Sequence, residues 1–170
     1  MKNFFLMAVA SIFTFGVFAQ DNDDHGPLLE GQWLIEINTG SWATGSTAFS
    51  LTSIDGNTMW SIGAEAGYFV ANNFAIKAGL GYSDDDFGDG LFAYKIGVKY
   101  YLGDTFPLGV DFTGVSSDFF DGSWVGVQGG YAWFVTEHLS IEPTLRYNIT
   151  LDEDEAESIF QGLIGFAFHF

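Results

Sequence analysis

The chain is written in stretches where every second residue is apolar, and the stretch 159–170 shows this most plainly. Phe170, Phe168, Phe166, Ile164 and Phe160 share one face, with His169, Ala167, Gly165, Leu163 and Gln161 between them. A period of two means β-strand, because successive side chains point to opposite sides. Four phenylalanines on one strand face make a poor exterior in water and a good one in lipid.

Segments of the same kind recur along the chain at the length of membrane-spanning strands, about 9–11 residues. They fall near 32–39, 58–70, 74–83, 91–102, 107–114, 123–135, 139–150 and 159–170. Their apolar faces carry, among others, Trp33 and Ile37, Ile62 and Tyr68, Ile76 and Leu80, Tyr94 and Ile96, Leu108 and Val110, Val127 and Trp133, and Leu145 and Tyr147. The connections 71–73, 103–105 and 136–138 are tight turns, whereas 39–57, 84–90, 115–122 and 151–157 are longer and mostly acidic. Short turns at one end and long loops at the other predict an all-β, up-and-down, eight-stranded antiparallel transmembrane β-barrel. Closure leaves no sheet edge unpaired, as a bilayer requires. Trp33, Trp60, Tyr82, Tyr100 and Trp133 lie near strand ends, where interfacial aromatic girdles form. Pro143 falls on the apolar face of the seventh segment and removes one ladder donor, which the pattern does not explain.

The opposite face is rich in small residues, among them Gly67, Gly79, Gly97, Gly109, Gly126 and Gly165. An eight-stranded barrel is just wide enough for its own side chains, so small residues belong inside. Lys77, Lys95, Lys99 and Arg146 fall on this face, as do Glu36, Glu65, Asp111 and Glu142. The lumen is therefore expected to balance its charges, and ions stripped of water persist only when paired. Counting from strand ends groups Glu65, Lys77, Lys99 and Glu142 in one layer, and Glu36, Lys95, Asp111 and Arg146 in a second, nearer the middle. The pairs either plug the lumen or exchange partners as a gate. The other acids fall in the lead, turns and loops, so no charge faces lipid.

Residues 1–19 read as a secretory signal peptide: Lys2 is the positive n-region, 4–15 the apolar h-region, and the cut is expected near Ala19. The apolar run is shorter than the ~20 residues of a helical span. An acidic, flexible lead, 20–30, precedes the barrel domain, 31–170. The formal net charge of −17 repels nucleic acid, and also anionic headgroups unless divalent cations bridge them. A chain that is 48% hydrophobic and 18% aromatic is not disordered.

The whole chain after the signal peptide resembles the small eight-stranded outer-membrane proteins of the OmpA/OmpX type. The stretch from Ala64 through Gly67-Tyr68 and Asn72-Asn73 to Lys77-Ala78-Gly79-Leu80-Gly81-Tyr82 is similar to their strand–turn–strand signature. The closing run ending Phe166, Phe168, Phe170 resembles the last strand that the barrel assembly machinery reads as a signal in such proteins. The resemblance implies a monomer in the outer membrane of a Gram-negative bacterium, in contact with lipid and lipopolysaccharide. It implies no single activity. Because the chain ends at the closing strand, a peptidoglycan-binding domain like that of some relatives is not expected. A structural or surface-interaction role is expected, with a narrow porin-like channel as the alternative and no enzyme, cofactor or metal.

Other motifs point elsewhere but weakly. Gly31-Gln32-Trp33 matches a motif of lipocalins, yet their apolar face is internal and could not hold so many aromatics here. His138-Leu139-Ser140 resembles the pair of lipid A deacylases, but the acids available, Asp152 and Glu153, belong to the other end, about 25 Å or more away. Triad geometry needs hydrogen-bond contact. The acidic runs 84–90 and 152–155 lack EF-hand spacing. They read as solvated loops, with weak divalent binding the second reading. Trp42, Phe49, Leu51 and Ile54 in the first long loop are expected to pack on the rim or to meet a partner.

Overall fold

A computed structural model describes residues 26–39, 50–54, 57–85, 90–117, 121–151, 153 and 156–170, with backbone alone at 50–54, 57–59 and 85. The expected signal peptide, the first part of the lead and most of the stretches expected as long acidic loops lie outside the described residues, as do the side chains expected on the rim at 42, 49, 51 and 54.

Every regular element of the described chain is a strand: β1 (Trp33–Asn38), β2 (Ser50–Ile54), β3 (Asn57–Ala71), β4 (Phe74–Asp85), β5 (Leu91–Leu102), β6 (Phe106–Ser116), β7 (Asp121–Gly130), β8 (Trp133–Thr136), β9 (Leu139–Thr150) and β10 (Ile159–His169). All pairings are antiparallel. The ladder runs β1-β10-β9-β7-β6-β5-β4-β3, and β1 pairs again with β3, which closes the barrel. β7 and β8 form one interrupted stave, so the closed wall has eight.

Two elements differ from the reading of the sequence. β2 pairs with the first five residues of β3, Ile54↔Asn57 to Ser50↔Ser61, in a stretch expected to be loop. The two are separated by Asp55-Gly56, a pair that favours two-residue hairpins. The sixth stave breaks at Tyr131-Ala132, opposite Pro143. The Pro143 carbonyl accepts from the Tyr131 N–H at 3.1 Å, so its ring nitrogen faces the same way with no hydrogen to return. The ladder cannot close its second bond there. The Ala132 N–H instead turns to the Thr105 carbonyl at 2.7 Å. The proline and the strand break are one feature.

Alternation holds along the walls. Outward residues such as Ile96 (59% exposed), Leu145 (60%) and Phe160 (67%) are bare, while their neighbours in sequence are buried or half-buried. Phe166, Phe168 and Phe170 face outward, and β10 joins β9 to β1. Among the described residues, exposed charges occur in turns, loops or at strand ends. Apolar clusters close the lumen at both ends. Leu34, Phe69, Tyr101 and Leu28 gather at the short-turn end, and Ala93, Val115 and Trp124 at the long-loop end. The Trp124 indole N–H donates to the Glu157 carbonyl at 3.0 Å.

Candidate functional site

Between the two apolar clusters lies the charged interior. Strand parity turns Glu36 of β1, Glu65 of β3, Lys77 of β4 and Lys95 and Lys99 of β5 inward, together with Asp111 of β6 and Glu142 and Arg146 of β9. Six of these form one alternating chain. Lys95 Nζ meets Glu65 Oε1 at 2.6 Å, and Glu65 Oε2 meets Lys77 at 2.7 Å. Lys77 also pairs with Glu36, which pairs with Lys99, and Lys99 reaches Glu142 Oε2 at 2.5 Å. Three cations thus neutralise three anions without a water-facing partner.

The far end of the chain is held by neutral donors. Glu142 Oε1 accepts from the Tyr101 hydroxyl at 2.8 Å and from the Ser140 hydroxyl at 2.9 Å. Ser140 in turn lies 3.1 Å from His169 Nε2. Lys99 Nζ sits 4.8 Å from the Tyr101 ring centroid, a cation–π contact.

Arg146 and Asp111 stand apart as a bidentate pair, with NH2 to Oδ1 at 2.6 Å and NH1 to Oδ2 at 2.5 Å. Gln128 accepts from NH1 at 2.8 Å, and Asn148 accepts from Nε at 2.7 Å. Thr113 Oγ1 accepts a longer bond from NH2 at 3.5 Å, so all five N–H groups of the planar fork have acceptors, which an ammonium could not achieve. The expected division into two layers of four is therefore corrected. Glu36 and Lys95 join the first group, leaving Asp111 and Arg146 as a separate pair. Strand tilt and stagger in a closed barrel set depth, and counting from strand ends ignores both.

Glycine makes the room. A Cβ on Gly79 would lie 2.7 Å from Glu65 Cγ, its cross-strand neighbour. On Gly67 it would crowd Lys77 Cγ at 3.2 Å, and on Gly126 it would collide with the Arg146 guanidinium. Small residues inside are thus the seats of particular charged side chains. A small cavity of about 20 Å³ is bordered by Glu36, Glu65, Lys77, Gln128 and Glu142, room for about one water.

Tyr101, Thr113, Gln128, Ser140, Asn148 and His169 complete these networks; Ser140 was read from the sequence only as part of the deacylase-like pair and His169 only as a residue of the face opposite the phenylalanines, and the other four were not singled out. Each has the same parity as a charged or small inward residue on its own strand, so the period that located the charges also locates them. The deacylase-like pair is not assembled as a triad. His138 is exposed in its turn, with Nδ1 3.1 Å from the His169 carbonyl, while Ser140 is wholly buried and bonds Glu142. Among the described residues, no three His, Asp or Glu side chains are placed to hold a metal ion.

Fold and interior together define a closed, all-β, eight-stranded antiparallel barrel with apolar walls outside and paired charges inside. The N-terminal β-barrel domain of Pseudomonas aeruginosa OprF is similar in structure, with a TM-score of 0.53 over 83% of this chain and 98% of that domain. Sequence identity is 12%, so the likeness is one of fold. No family model and no curated protein matches the chain.

Proposed function

We propose that the chain is an outer-membrane β-barrel of a Gram-negative cell, exported by a signal peptide cleaved near Ala19. Its lumen is filled by the ion-paired network, and it serves a structural or surface-interaction role without catalysis. The observation that carries this reading is the inverted polarity of the barrel: large apolar side chains bare outside, and Lys77, Lys95, Lys99 and Arg146 all inside. In water such a wall would be a very large exposed apolar patch. In a bilayer it is matched.

Dimensions support the reading. Trp60 and Tyr68 are the aromatic residues nearest the two ends of the outer face of β3, and their separation along the strand is about 26 Å. A tilt of ~40° reduces this to about 20 Å along the normal, close to the ~25 Å band of known barrels. Trp33 packs on Tyr68 and Phe106 on Tyr131, with centroids 5.2 and 5.8 Å apart, as aromatic pairs at one interface.

Outer-membrane lipid and lipopolysaccharide are the surroundings this wall suits. Phe166, Phe168 and Phe170 are the residues through which the assembly machinery would recognise it. A wall apolar all round, with no free sheet edge in the closed ring, suits a monomer. The acidic remainder disfavours nucleic acid.

The narrow-channel reading has one feature in its favour, the polar lumen, but the ion-paired side chains stand across that lumen and an apolar cluster lies at each end of it. Current across a planar bilayer after insertion of heat-modifiable, folded protein tests the choice. Silence is expected. Discrete steps that change in Lys95→Ala or Arg146→Ala would replace the filled barrel with a gated pore.

A further inference from the structure

The barrel wall closes from Trp33 onward, where β1 pairs with β3 and β10. Just upstream, the Gly31 N–H donates to the Phe69 carbonyl at 2.8 Å and the Phe69 N–H to the Gln32 carbonyl at 2.9 Å, which extends that ladder, and residues 26–30 beyond it do not trail away. The chain leaves the wall at Gly31, whose φ of +91° suits glycine alone. Upstream, Leu28 is 5% exposed and shares an apolar cluster with Leu34, Phe69, Tyr101, Ala132 and Ala167. Those residues come from β1, β3, β5, the β7–β8 break and β10, around the whole circumference. One leucine therefore stoppers the mouth.

The catch is specific. The Asn73 N–H donates to the Leu28 carbonyl at 2.7 Å, and the Glu30 N–H donates to Asn72 Oδ1 at 3.0 Å. Asn73 is itself fixed, at φ +67°, with Nδ2 donating to Asp104 Oδ1 at 2.5 Å. Below the stopper lie the buried groups Tyr101, Ser140, Glu142 and His169, the near end of the ion chain. Hydrogen bonds and ion pairs are strongest where water is kept out.

We infer that residues 26–30 form a separable strap that seals the short-turn mouth and controls water access to the luminal ion chain, with Gly31 as hinge and Leu28 as stopper. The device goes beyond the proposed membrane role and holds whether or not the lumen conducts. The barrel stays closed when the strap lifts, because the rungs of the wall begin at Gly31 and Gln32, which bond Phe69 of β3, and none depends on residues 26–30.

The chain has no cysteine, so single reporters are clean. Ala167→Cys replaces a residue 1% exposed beside Leu28, and Val115→Cys one 3% exposed at the far end. Both are placed in the full chain, folded in micelles, and treated with a cationic, water-soluble methanethiosulfonate. Both thiols are expected to be protected. Adding Leu28→Asp should speed labelling at 167 by about tenfold or more, since burial of a leucine weighs that much in a local opening. Labelling at 115 should not change. Adding Gly31→Ala should give a smaller rise at 167. If Ala167→Cys does not fold, Ala75→Cys in the same cluster takes its place. Unchanged labelling at 167 in the Leu28 variant, an equal rise at both reporters, or loss of the heat-modifiable folded form in that variant would each overturn the strap.

Discussion

Lys99→Met is the substitution that most directly tests the buried charge chain. Lys99 is 1% exposed and bridges Glu36 and Glu142, the latter at 2.5 Å. At an effective dielectric of about 20, an ion pair near 2.7 Å has a Coulomb energy of about 6 kcal/mol, most of which offsets the loss of hydration. The net worth of the pair is therefore small, but methionine would leave the carboxylates without their shared cation. Glu36 would keep Lys77, and Glu142 would keep only the Tyr101 and Ser140 hydroxyls. Removing one partner of a buried pair costs about 3–5 kcal/mol, and that loss is expected here. Adding Glu142→Gln removes the stranded charge while the amide oxygen can still accept from Tyr101 and Ser140. The shortened chain Lys95–Glu65–Lys77–Glu36 is then balanced. About 2 kcal/mol or more of the loss should return in the double variant. Urea unfolding in micelles, followed by tryptophan fluorescence and by gel mobility, measures both values. A Lys99→Met protein within about 1 kcal/mol of the parent, or a double variant less stable than the single, would refute the reasoning.

Leu145→Lys puts a charge on the middle of the outer face of β9, at a residue 60% exposed. Folding into lipid vesicles should lose about 2–4 kcal/mol, and tolerance of the lysine there would count against a lipid-facing wall. Gly126→Ala drives a methyl into the Arg146 guanidinium, so the bidentate contact with Asp111 must shift. A loss of about 1–3 kcal/mol is expected in the same urea assay, and an unchanged midpoint would mean that Arg146 does not need that space.

Much of the barrel was legible because one rule, alternation, governs both of its surfaces. β5 and β9 begin and end where the pattern places them, at Leu91–Leu102 and Leu139–Thr150. β2 was not read, because the sequence around Ser50–Ile54 mixes polar and apolar residues in a long stretch without a clear face. The Asp55-Gly56 pair was its one local signal. The part of the lead nearest the barrel, expected to be flexible, instead lies across the mouth with Leu28 inside, since a single leucine in an irregular segment has no periodicity to reveal its burial. The break at Tyr131-Ala132 likewise depends on Pro143, a residue on a different strand.

The sequence by itself determined which side of the wall each strand residue faces, because the pleat alternates whatever the strand's neighbours are. That is enough to put Lys77, Lys95, Lys99, Arg146, Glu36, Glu65, Asp111 and Glu142 inside an apolar shell. Only the tertiary structure decided that Glu36 lies between Lys77 and Lys99, that the acid paired with Arg146 is Asp111, and that Ser140 meets His169 across twenty-nine residues of chain. Partnership inside a barrel is a matter of depth along its axis, and depth is fixed by the tilt and stagger of the closed sheet, which no single strand carries in its own sequence.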